Sequence, residues 1–502
     1  MRNLPSLLAL QKITQSAHVP AVGYAYVEQK GEGKHEFSGT TLTIGKKNAQ
    51  STDVIMNKVD RNTRFPASSL SKIVFTYLVL QLVKAKHITL DEPLHSILQY
   101  ERFSANGQYP KKAERLTARH VLSHTTGLPN FGSNLASNLT FDPTSELGEG
   151  YSYSGEAFLY LQKVIEKKMG EDLETLAQRY VFGPDALGMD RSTFLPQPKN
   201  DTNSVAVHTE LGKPTAIYEV QPHLNAAGSL LTTAHDFSKF MMAWLEQMND
   251  PIFQQAFKPT SAEDFPTCGL GWHLYRKAGE VIAYQFGENP NTRSFVAINL
   301  NTQKATAFFT NSENGMSIAN QLLNSPDFPT IGDLQAVFKH LHYQQSDEPG
   351  WCETLEGKIA EDQGEFDVAR LCFKKALELA PDDASKQRRL TWFNAAHHPA
   401  REKQAFPQPL ESFIGKLTNR YNDEVAIAIS ANGLIYKEFD REIKLVRISN
   451  SDFVPEKDQS FKIRFNGNHV SIRYDHGAKK ALFFRNTAEE IARLRGITET
   501  PG

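Results

Sequence analysis

The sequence predicts an α+β protein: an antiparallel sheet flanked by helices, followed by a short helical hairpin and a small antiparallel β domain. Three observations carry that expectation. Strand-like segments stand near both ends of residues 1 to about 340, with long helical stretches between them. From Trp351 onward Gly and Ala recur at the spacings of a helix–turn–helix unit. Beyond residue 405 apolar residues alternate with period two and are interrupted by Asn-Gly turns. The expected boundaries are 1–345, 346–404 and 405–502. The chain has 502 residues, 40% hydrophobic and 22% charged, with a formal net charge of −2. That balance excludes a disordered chain, a collagen-like chain and a highly basic nucleic-acid binder.

Taken in order, Leu7, Leu8, Leu10 and Ile13 read as one face of an amphipathic helix, and Val19–Val27 alternates like a first strand. Leu4–Leu10 resembles a short signal-peptide core, but Lys12 interrupts it and no small-x-small cleavage site follows. The run Ile73–Val83 is broken by Thr76, Tyr77 and Gln81 and falls short of the roughly 20 apolar residues of a membrane span. Cys268, Cys352 and Cys372 are odd in number and widely spaced, forming neither a metal set nor a disulfide framework. The expectation is a cytoplasmic protein; export without a cleavable signal is compatible with the same features.

Helices are expected after Ser69 and after Tyr153, the second with a buried stripe of Phe158, Leu159, Leu161, Val164 and Ile165. Val296–Asn299 and Ala305–Thr310 read as strands. Gly357, Gly364, Ala369, Phe373, Ala376 and Pro381 match tetratricopeptide spacing. A single such unit cannot bury its own apolar face, so a spacer is the favoured role over a partner-binding array. After a linker with Pro399, Pro407 and Pro409, Val425, Ile427 and Ile429 alternate up to the turn Asn432-Gly433. Phe461, Ile463 and Phe465 do the same before Asn466-Gly467-Asn468, then Val470, Ile472 and Tyr474.

Three motifs bear on chemistry. Ser69-Leu70-Ser71-Lys72 is the single Ser-x-x-Lys, and on a helix positions i and i+3 share a face, so the Lys72 amine can lie beside the Ser69 hydroxyl. A serine hydroxyl needs such a neighbour to take its proton. About one or two such spacings arise by chance in a chain this long, so the spacing alone decides little. Tyr151-Ser152-Tyr153-Ser154-Gly155 opens a helix, and a tyrosine there acts as a base if a cation such as Lys72 favours its phenolate. Gln285-Phe286-Gly287-Glu288-Asn289 precedes a strand, and its glycine permits close approach of a substrate backbone.

Together with Leu122-Ser123-His124-Thr125-Thr126-Gly127-Leu128-Pro129, Ala226-Ala227-Gly228-Ser229-Leu230, Gly269-Leu270-Gly271-Trp272 and Thr310-Asn311, these motifs resemble the serine β-lactamase-like and penicillin-binding-protein-like hydrolases, near the class C enzymes and their esterase relatives. The resemblance runs from about Pro20 to Asn314. It implies a β-lactamase/transpeptidase-like fold with Ser69 as acylated nucleophile, and Lys72 and Tyr153 as general acid and base. The oxyanion hole would be the backbone N–H groups of Ser69 and Glu288. Tyr153 is preferred to Tyr151 by register, and His124 reads as scaffold.

Two positions depart from that pattern. Gly155 stands where the family usually has an Asn, although Tyr-Ser-Gly variants resemble a recognisable subgroup, and Gln285 stands where it carries Lys or His, so a substrate-facing amide and a cation are both missing. Charge-assisted hydrogen bonds are roughly twice as strong as neutral ones. Affinity for an anionic β-lactam or D-Ala-D-Ala terminus should fall, unless Arg293 replaces the cation. The expectation is an esterase, peptidase or amidase, with β-lactam hydrolysis or D,D-carboxypeptidase activity second; a weakly active or inactive recognition protein is the alternative. No cofactor and no metal are expected, because His340/His342 and His397-His398 have no partner ligands at metal spacing. The expected partners are a small-molecule or peptide substrate, no nucleic acid, no membrane span, and a possible protein partner at the C-terminal modules.

Overall fold

A computed structural model describes residues 5–31, 36–104, 110–131, 138–142, 145–220, 222–260, 267–398, 408–418, 424–430, 433–438, 441–457, 461–466, 469–474 and 479–485. The chain divides into two compact units, one of residues 1–131 with 145–346 and one of residues 132–144 with 347–502.

The first unit is built on a seven-stranded antiparallel sheet. Its spatial order is Phe37–Gly45, Ala21–Gln29, Lys304–Thr310, Thr292–Asn299, Glu280–Asn289, His273–Lys277 and Thr267–Cys268. The N-terminal strand therefore lies beside strands about 280 residues later, in a register that sets Tyr24 opposite Phe308. Alternation then sorts the side chains onto two faces. Phe309 packs on Phe237 of helix Ala234–Gln247, with ring centroids 5.0 Å apart. Phe308 stacks on Phe295, which meets Phe338 of helix Gln335–His340 on the other side.

Helix Ser71–Lys84 is buried around most of its circumference and buries Ile73, Val74, Phe75, Tyr77, Leu78, Val79, Leu80 and Leu82. A helix of that kind can only sit in the middle of a core. Helix Gly155–Met169 begins at Ser154, whose hydroxyl accepts from the Ala157 N–H, and Arg102 clamps Glu156 of its first turn through two bonds. Phe158, Leu161, Val164 and Ile165 are buried as expected, whereas Leu159 is half-buried and Tyr160 is buried instead. Helix Leu7–Ser16 also differs from expectation. Leu10 and Ile13 are buried, but Leu7 and Leu8 are 48% and 63% exposed, because the buried stripe is narrower than the run of leucines.

The second unit holds three helices, Trp351–Asp362, Phe366–Leu379 and Ala384–Ala396, rather than a hairpin of two. The third helix closes the apolar face of the pair: Phe393 meets Phe373 edge-on at 5.1 Å. Eight antiparallel strands between Gly415 and Arg485 close into a barrel. Its interior is filled by Phe413, Leu434, Phe453, Ile463, Val470 and their neighbours. Ile429, read as part of that inward alternation, is exposed. Among the described residues no helix is long and apolar enough to cross a membrane.

Candidate active site

Ser69 lies in a 3-10 turn, Ser68–Leu70, that leads into the buried helix. The preceding residue, Ser68, has φ of +50°, a conformation costly for a residue with a Cβ and kept only where the surroundings over-determine it. Four bonds hold this turn. The Ala67 N–H donates to Leu230 O (2.8 Å), and Ser294 Oγ donates to Ala67 O (2.7 Å). Ser71 Oγ donates to Ser68 O (2.5 Å) and receives the Leu230 N–H (3.0 Å). Gly287 approaches from the sheet so closely that an added Cβ would fall 2.5 Å from Ala67 O and 2.2 Å from Ser294 Oγ.

Lys72 is fully buried. Its Nζ donates to Ser69 Oγ at 3.1 Å and to Ala227 O at 2.7 Å. Burial alone lowers its ammonium from the ordinary lysine range to about 7. The amine lies 4.7 Å from the centre of the Tyr153 ring. Tyr153 moves the opposite way. Burial raises its phenol above the usual tyrosine value, and a hydrogen bond with Ser69 only partly opposes that rise. The phenolate expected from a neighbouring cation is therefore not favoured, because desolvation outweighs the Ser69 hydrogen bond and the Glu288 carboxylate adds to the rise.

Two histidines flank the Tyr153 ring. His124 stacks on it at 4.4 Å, held by the Ser154 N–H donating to its Nδ1, while the His124 carbonyl accepts from the Ser152 N–H. The His124 Nε2 is buried with no partner among the described residues. His273 lies nearly parallel to Tyr153 at 6.3 Å and bonds the Tyr151 hydroxyl through Nε2 at 2.9 Å. Burial, reinforced by Lys72, pushes His273 down to about 4 and His124 well below its usual value, so both rings are neutral at pH 7. Sequence reasoning missed His273; the signal was a polar residue opposite Tyr284 on an otherwise aromatic strand face. Tyr151, engaged by His273, is not beside Ser69 in the way Tyr153 is.

Gly155 is explained by its neighbour. Its N–H donates to Asn130 O (2.9 Å) and Asn130 Oδ1 (3.0 Å), and a Cβ would fall 2.9 Å from Asn130 O and 3.0 Å from the Phe131 ring. An asparagine has no room there. Gln285 is fully buried, with Nε2 donating to Gly271 O (3.2 Å) and Oε1 accepting the Phe286 N–H (3.0 Å). Arg293 does not stand in for the missing cation. It donates to Asn289 O and Thr292 O, ion-pairs with Glu313, and keeps its Nε 3.6 Å from Glu288. Burial disfavours its charge, but Glu313 and Glu288 outweigh burial and raise its pKa.

The strand His273–Lys277 stops pairing at Tyr284, so among the described residues 285–289 have an open edge. The turn Pro290-Asn291 closes on the pair Asn289/Thr292, and ladder alternation then turns the Glu288 N–H toward that edge. Among the described residues no group of three His, Cys, Asp or Glu is placed to hold a metal ion. All three cysteines are free thiols; burial raises the Cys268 pKa.

A family model described as beta-lactamase matches residues 25–322. An unguisins hydrolase of Aspergillus violaceofuscus is 23% identical over 215 residues, which are 37% of this chain and 37% of that one. A putative fimbrial assembly protein FimD, serogroup D, of Dichelobacter nodosus is 24% identical over 246 residues, 44% of this chain and 58% of its own. The chain thus spans less than two thirds of either relative. The octameric penicillin-binding protein homologue from Pyrococcus abyssi superposes with a TM-score of 0.50 at 14% identity, covering 95% of this chain and 98% of that structure. At that identity the likeness is one of fold.

Proposed function

The chain belongs to the beta-lactamase family, and from that premise we propose that it is a serine hydrolase acting through an acyl-enzyme on an ester or amide. The observation that carries the reading is the 3.1 Å separation of Lys72 Nζ from Ser69 Oγ in a buried place where the lysine is lowered to about 7. A neutral amine at that distance takes the serine proton as Oγ attacks the carbonyl carbon. The negative charge that forms on the carbonyl oxygen meets the N–H groups of Ser69 and Glu288. Tyr153, kept as a phenol, gives its proton to the leaving oxygen or nitrogen and recovers one from Lys72. Water then releases the acid by the same steps in reverse, leaving Ser69 free.

An extended substrate fits along the open edge at 285–289, while Gly287 itself makes room for the Ala67–Ser68 turn rather than for the substrate. With Gln285 neutral and bonded to Gly271 O, this reading ranks a β-lactam or D,D-peptide below a less anionic ester or amide. Incubation with a fluorophosphonate and a fluorescent penicillin, followed by mass mapping, tests it. An adduct on Ser69 that is absent in Ser69→Ala supports the hydrolase. A folded protein that takes neither probe overturns it.

A further inference from the structure

The charge beside the open edge is negative. Glu288 sits 45% exposed at the end of strand Glu280–Asn289, on the face opposite to Gly287. Its carboxylate accepts the Tyr343 hydroxyl and lies 3.6 Å from Arg293 Nε, while the same guanidinium is ion-paired with Glu313. One cation thus serves two carboxylates, and the set keeps an excess of one negative charge. Gln285, in the same strand, is buried and neutral and adds no positive charge there.

We infer that Glu288 is a specificity-determining residue that selects substrates with a cationic group, an ammonium or guanidinium, on the segment paired to residues 285–289. The inference rests on the hydrolase reading above and deepens it. Side chains directly across an antiparallel pair stand about 4.5–5.5 Å apart, close enough for opposite charges to attract and like charges to repel. Tyr343 and Arg293 fix the carboxylate from behind, so it is held in place before substrate arrives and need not be ordered by it.

The test uses p-nitrophenyl esters of ω-aminohexanoic, hexanoic and adipic acid, which are cationic, neutral and anionic at matched chain length. The full-length protein should give kcat/KM in that order, with about fivefold or more between the cationic and anionic esters at low ionic strength. Added salt should shrink that ratio. Glu288→Gln should bring it toward one, and Glu288→Lys should invert it. A wild-type protein that cleaves the hexanoyl ester but treats the three alike, or prefers the adipoyl ester, overturns the inference and leaves the hydrolase reading standing. A ratio unchanged in Glu288→Gln also overturns it. No cleavage of any ester, with no fluorophosphonate adduct on Ser69, overturns both.

Discussion

At the residue scale the decisive balance is between desolvation and charge around Ser69. Burial lowers Lys72 to about 7 and raises Tyr153, so near pH 7 a large share of Lys72 is free amine beside a Tyr153 phenol. The cost shows in stability. An unfolded lysine titrates near 10.4, so between about 7 and 10.4 the unfolded chain binds more protons, and stability rises with pH across that window. Below pH 7 the penalty is complete. Lys72→Met should abolish acylation yet stabilise the fold by on the order of 2–4 kcal/mol below pH 7, with a gain that fades as pH approaches 10, measured by urea unfolding. Tyr153→Phe removes the proton donor to the leaving group. Amide cleavage should fall by about 100-fold or more, while a p-nitrophenyl ester, whose leaving group needs little protonation, should lose much less. Gly155→Asn, which restores the family residue, should destabilise by about 1–3 kcal/mol because Asn130 fills the space.

Elements place these residues by pinning one tight turn between a helix and a sheet. The Ser68–Leu70 turn is tied to strand Thr292–Asn299 through Ser294 and to the Leu230 backbone through Ala67 and Ser71. Ser294→Ala removes the bond to Ala67 O and should cost about 1 kcal/mol together with a several-fold loss in Ser69 labelling rate, read by gel fluorescence. A labelling rate unchanged in Ser294→Ala would show that the turn holds Ser69 without it. The helices after Ser69 and Tyr153 and the strands around 296 and 305 were legible because period 3.6 and period 2 are local properties. Ala227, Ser294, Asn130 and His273 were not legible as site residues. They meet Lys72, Ala67, Gly155 and Tyr153 only through contacts across the fold, such as the separation of 155 residues from Lys72 to Ala227.

For the whole molecule, the near-zero net charge concealed a local arrangement that matters more. The sequence identified a missing cation at Gln285 and offered Arg293 as its substitute. The fold instead commits Arg293 to Glu313 and Glu288, an outcome that depends on strand pairing of Arg293 with Glu288 and could not be read from spacing alone. In the second unit the alternation of Phe461, Ile463 and Phe465 did foretell burial, because the barrel interior continues that period across eight strands. Ile463→Ala should cost that unit about 2–5 kcal/mol, measured by urea unfolding with fluorescence detection.

The most direct test of the central claim is the pH dependence of Ser69 acylation by a fluorophosphonate, followed by mass spectrometry of the Ser69 peptide. If Lys72 takes the serine proton, the rate rises with a single midpoint near 7 and reaches a plateau above it. A rate that stays low until pH 10 and then climbs would assign the base to Tyr153 and contradict the account.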